Sequence, residues 1–171
     1  SQNPTDSKLV AVNNGQGREM YYNKTLGIFN VESNTFTNLI PEDQVSMMPD
    51  YSEDGKNIAY SGTNNLKDEI NNSDNLKLWQ NQPHNIYEVN VDTKKVTQIT
   101  KGNTFDFMPR HLLNNEMLFV RQDGDSYSLW KTKDGVETKL AESVYFNSTS
   151  YTNTWYYGHY ATENVIDLFI G

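Results

Sequence analysis

Short runs of apolar residues, broken by polar turns, recur along the whole chain. Residues 57–61 (Asn-Ile-Ala-Tyr-Ser), 96–100, 117–122, 127–132 and 137–141 are each short enough for one strand. Alternation with a period near two, on β-branched and aromatic residues, is the signature of a strand with one face in the core. Residues 48–51 and 85–91 complete a group of four strands with 57–61 and 96–100. Within 85–91, Ile86, Val89 and Val91 do not alternate cleanly, so the inward face is unassigned there. The intervening turns are Glu53-Asp54-Gly55-Lys56, Asp92-Thr93-Lys94-Lys95, Leu113-Asn114-Asn115-Glu116, Asp123-Gly124-Asp125 and Lys133-Asp134-Gly135. Gly, Asn and Asp tolerate the positive φ that tight hairpins demand. Earlier strands are predicted at 8–12, 19–23 and 26–32, and later ones at 144–148, 154–161 and 165–170.

The pattern repeats. Residues 31–39 match residues 91–99 at an offset of 60. The same offset carries Met48-Pro49 onto Met108-Pro109, and Ile58-Ala59-Tyr60 onto Leu118-Phe119-Val120. A fixed period of this kind marks a repeat architecture in which each unit buries its faces against its neighbours. The expected organisation is a polar linker over residues 1–8 and one repeat domain over 9–171. Its units fall at about 9–40, 41–100, 101–142 and 143–171. Residues 62–84, polar and rich in Asn, form an insertion between the second and third strands of the second unit. Leu76, Leu78 and Trp79 within it predict that part of this segment docks on something.

Composition narrows the picture. Aromatic residues make up 12% of the 171, with 11 Tyr, which suits pleated surfaces. The formal net charge of −8 opposes nucleic acid and anionic membranes as partners. The absence of cysteine excludes disulfides, thiolate nucleophiles and Cys-based metal sites. No apolar run is long enough for a membrane helix, so no membrane insertion is expected.

Pro49-Asp50-Tyr51-Ser52-Glu53-Asp54-Gly55-Lys56-Asn57-Ile58-Ala59-Tyr60-Ser61 closely resembles the blade motif of TolB-like β-propellers, P-x-[WY]-S-x-D-G-K-x-I-[AV]-[FY]-S. Asn85-Ile86-Tyr87-Glu88-Val89, Asp92-Thr93 and residues 96–100 continue the match. The third unit departs from it, with His111, Leu112 and Asn114-Asn115 where the motif has an aromatic residue, Ser and Asp-Gly. The resemblance implies an all-β fold: a β-propeller of about four four-stranded blades, or an incomplete part of a larger propeller. It also implies a protein-binding role outside the bacterial cytoplasm.

Catalytic motifs are not found. His84, His111 and His159 form no close-spaced ligand pair, and no Gly-x-Ser-x-Gly elbow exists. Gly15-Gln16-Gly17 lacks the third glycine of a phosphate loop, and Asp123-Gly124-Asp125-Ser126 lacks the remaining ligands of a calcium loop. Ser52-Glu53-Asp54-Gly55 has the wrong spacing for a sialidase Asp-box. No metal or cofactor is expected. The candidate partner-binding residues are Trp79 and His84 in the insertion, and Trp155, Tyr157, His159 and Tyr160 in a ring-rich run near the end. Aromatic residues of this kind anchor interfaces. The expected function is a non-catalytic module binding protein or peptide, with self-association if its ring is incomplete. The alternatives are an accessory propeller of a larger hydrolase and a glycan- or lactone-acting propeller enzyme.

Overall fold

The computed structural model describes residues 1–14, 25–41, 44–64, 83–124 and 126–142. The described residues are all-β and form three antiparallel sheets. The first contains β1 (Leu9–Asn14), β2 (Thr25–Asn30) and β3 (Thr35–Asn38) in that order. The second contains β4 (Gln44–Tyr51), β5 (Asn57–Asn64), β6 (Asn85–Asn90) and β7 (Val96–Gln98). The third runs β8 (Phe105–His111), β9 (Glu116–Asp123), β10 (Ser126–Lys133) and β11 (Val136–Glu142). Each sheet is a meander in chain order, the connectivity of a propeller blade. The strands predicted at 19–23, 144–148, 154–161 and 165–170 lie outside the described residues.

The repeat is visible atom by atom. Asn30 Oδ1 accepts the N–H groups of Glu32 and Ser33, and Asn90 Oδ1 accepts those of Asp92 and Thr93. Asn34 and Lys94 both hold positive φ, 56° and 59°. The Val31 N–H donates to the Lys8 carbonyl at 2.9 Å, and the Val91 N–H to that of Lys56 at 2.9 Å. Met48 and Met108 share the left-handed conformation, φ 55° and 52°, and each sits in a bulge of its blade's first strand.

One alignment is corrected. Tyr51 pairs with Ile58, whereas His111 pairs with Met117, because the third blade's first turn is one residue shorter. Ile58-Ala59-Tyr60 therefore corresponds to Met117-Leu118-Phe119, not to Leu118-Phe119-Val120. A one-residue slip exchanges the two faces of a strand. Accordingly Met117 and Phe119 face the second blade, sharing a core cluster with Ala59 and Ile86.

The residues before β1 also carry repeat structure. Gln2 bridges to Val10, and the Lys8 N–H is accepted by Asp6 Oδ1 at 3.1 Å. The Lys56 N–H meets Asp54 Oδ1 in the same way at 3.0 Å. Residues 1–8, expected to be linker, thus contain the first blade's opening turn.

The core lies between blades. Ala11, Leu26, Leu39 and Ile40 meet Tyr51, Ile58, Tyr60, Tyr87 and Val89 between the first and second sheets. The second blade is covered on both faces, which is why residues 85–91 do not alternate: Tyr87 and Val89 pack toward the first blade and Ile86 toward the third.

Candidate functional site

Adjacent blades are tied by a recurring set of contacts. Asn13 Nδ2 donates to Ser46 Oγ at 2.9 Å between the first and second blades. At the next junction the Ser61 hydroxyl donates to the Asp106 carbonyl. The Tyr51 N–H donates to Ser1 Oγ at 3.1 Å, and the His111 N–H to Asp50 Oδ2 at 2.8 Å. Tyr51 and His111 are therefore equivalent positions at successive junctions.

Their chemistry differs. Tyr51 is buried with Ile28 packed against the same apolar cluster, and burial pushes its phenol up to about 12. His111 instead lies between two carboxylates: Nδ1 is 3.1 Å from Asp50 Oδ2 on β4, and Nε2 is 2.8 Å from Glu88 Oε2 on β6. Glu88 stands 60 residues after Ile28, so tyrosine against isoleucine has become histidine against glutamate. Burial alone would lower the imidazole pKa. The hydrogen bonds and charges of Asp50 and Glu88 outweigh it and raise the pKa to about 9. His111 is thus an imidazolium at neutral pH, donating from both ring nitrogens. Arg110 Nη1 lies 3.6 Å from Asp50 Oδ1.

His111 and Glu88 of this clamp line a cleft of about 680 Å³ between the second and third blades. Its walls are the turn at Ser52–Asp54, the outer part of the second blade through Ile99, and two turns of the third blade. Leu112, Leu113, Ile99 and Met117 give it apolar surface, and Leu113 is 65% exposed. Five carboxylates, Glu53, Asp54, Glu88, Glu116 and Asp134, share the cleft with Lys133 and His111. The shorter Asn114-Asn115 turn on this rim holds both residues at positive φ, 63° and 60°, whereas only Gly55 does so in the Asp54-Gly55 turn of the second blade.

A second polar cluster is structural. Asp106 is fully buried and receives Arg121 through Nε at 2.8 Å and Nη2 at 3.1 Å, and the Thr100 hydroxyl at 2.7 Å. Arg121 also meets Glu137 at 3.0 Å and lies over the Trp130 ring, 4.6 Å from its centroid. Its groups face one another, leaving little for a ligand. Among the described residues no group of three or more His, Cys, Asp or Glu side chains is placed to hold a metal ion. No helix among them is long and apolar enough to cross a membrane.

Of the residues expected to meet a partner, His84 is 0% exposed and stacks on Phe105, centroids 4.2 Å apart. Its backbone bridges to Phe105, so it seams the second and third blades from within the core. Trp79, Trp155, Tyr157, His159 and Tyr160 lie outside the described residues. The Asp50–His111–Glu88 clamp was not anticipated. Its signal in the sequence is the paired departure from the repeat at His111 and Glu88.

No protein-family model matches the chain, and no curated protein sequence matches it. Solved structures do. A TolB from Agrobacterium tumefaciens superposes with a TM-score of 0.62 at 18% identity, over 82% of this chain and 47% of that one. TolB from Acinetobacter baumannii gives 0.59 at 14% identity, over 82% and 31%. A puromycin hydrolase gives 0.59 at 13% identity, over 82% and 21%. The chain therefore spans less than half the length of each of these structures. Meandering blades joined by inter-blade bonds, and these superpositions, define the fold as a β-propeller, with three blade sheets among the described residues. Within that class its fold is similar to that of the TolB propellers.

Proposed function

We propose that this chain is a non-catalytic propeller module that binds protein or peptide outside the cytoplasm. The observation that carries the reading is the open cleft between the second and third blades. It combines an exposed apolar contact at Leu113 with a rim of fixed charges, built on rigid hairpin turns. Rigid turns holding apolar anchors and oriented polar groups suit recognition of another chain. The polar groups beneath, Asp50, His111 and Glu88, satisfy one another, which suits positioning. The resemblance of residues 49–61 to TolB-like blades supports the extracytoplasmic setting.

A displayed library of random peptides, selected on the immobilised chain, tests this. The expected result is a consensus sequence enriched on the native chain and lost on Leu113→Arg, with no turnover of chromogenic glycosides or lactones. Absence of enrichment, or turnover by the chain alone, would contradict it. The second reading, an accessory propeller of a larger hydrolase, is prompted by the superposition on puromycin hydrolase. It predicts no independent peptide binding and a serine-hydrolase domain in the same polypeptide.

A further inference from the structure

Resting on that reading, we infer that the cleft between the second and third blades takes a lysine or arginine side chain of a partner segment, flanked by apolar residues. The charge balance points there. Within the cleft Glu88 is answered by His111 at 2.8 Å and Glu116 by Lys131 at 3.5 Å. Glu53, Asp54 and Asp134 remain against Lys133 in the cleft and Lys56 beside Asp54, and neither Glu53 nor Asp134 forms an ion pair among the described residues. The Lys56 N–H and the Ser52 hydroxyl hold the Asp54 carboxyl below its usual range, so its charge persists in mildly acid solution.

The walls specify the rest of the ligand. Ile99, Leu112 and Met117 supply apolar surface beside these carboxylates, with Leu113 exposed at the mouth. Lysine and arginine carry an apolar stem beneath a cationic head, which matches apolar walls under an acidic rim. A second copy of this chain, at net charge −8, is repelled by the same rim. At the preceding junction Tyr51 and Ile28 stand at the positions of His111 and Glu88 and belong to one apolar cluster.

The test uses three blocked, fluorescent pentapeptides, with leucines flanking a central arginine, citrulline or glutamate, titrated into the full chain by anisotropy. The arginine peptide is expected to bind at least about fivefold more tightly than the citrulline peptide, the glutamate peptide more weakly still, and the difference shrinks with added salt. The double variant Glu53→Gln with Asp134→Asn is expected to weaken the arginine peptide about fivefold. Asparagine tolerates the positive φ of residue 134, so the turn is retained. Leu113→Ala is expected to weaken all peptides about threefold, and Glu32→Gln, on the first blade's distant turn, none. Equal affinity for the three peptides, or no effect of the double variant, overturns the inference while leaving a peptide-binding module. Binding of none of the three overturns the inference as well. Whether the module reading falls with it is then decided by the library selection, which does not depend on charge.

Discussion

His111 is held by carboxylates from two strands of the neighbouring blade, so its protonation state is part of the junction between blades. Its pKa rises from 6.5 to about 9 on folding. The native state then holds a proton that the unfolded chain releases. The resulting stability is fully present below pH 6.5 and is lost as pH rises through 9, amounting to about 3 kcal/mol. Urea unfolding at pH 6 and pH 9.5 should show this loss in the native chain and little of it in His111→Gln. A flat profile in the native chain would contradict it. Asp106 gives the complementary case. Asp106→Ala leaves Arg121 with half its partners at a junction where its aspartate is fully buried, at a cost of about 3–5 kcal/mol, read as a lower urea midpoint at unchanged slope. At this scale the sequence was least legible. Histidine and glutamate 23 positions apart show no proximity on their own, and only folding brings β6 and β8 together. The departure of His111 from the repeat was visible, but its meaning required the partner.

Strands and turns were largely legible. Alternation, Asp-Gly turns and the 60-residue register located β4 to β7 and β9 to β11 to within a few residues, and marked β8 only through Met108-Pro109, because hairpin geometry is encoded locally. Two features escaped. Equal offsets were carried through the Asn114-Asn115 turn, where one residue fewer flips β9. The first blade's opening turn was hidden because Ser7 stands where Gly55 stands in the second blade. The turn conformations make a stabilising prediction. Lys94 is exposed and pays for φ 59° that glycine adopts freely, so Lys94→Gly should raise stability by up to about 1 kcal/mol; Asn34→Gly should gain less, since asparagine tolerates that region. Thermal unfolding of both variants checks the order. Gly27→Ala should act oppositely, costing about 1–3 kcal/mol, because a Cβ there runs into the Phe36 ring and the Thr37 carbonyl.

Across the whole molecule, the described blades are joined by hydrogen bonds from corresponding strands at successive junctions, Asn13 to the Ser46 hydroxyl and then Ser61 to the Asp106 carbonyl. Among the described residues, the Asp50–His111–Glu88 clamp, with the acidic cleft above it, sets the junction of the second and third blades apart from the apolar one before it. The propeller class was legible from repeat and motif, since both are written in nearest-neighbour patterns. The cleft was not, because its walls come from turns some 80 residues apart in the chain. The central claim is that this cleft is where a partner chain docks. Hydrogen–deuterium exchange of the full chain, with and without a peptide enriched from the displayed library, tests it most directly. Slower exchange is predicted at residues 52–57, 112–117 and 132–135, with the first blade's turn at 31–35 unchanged. Protection at 31–35, or anywhere else, while those three segments exchange as before, would contradict it.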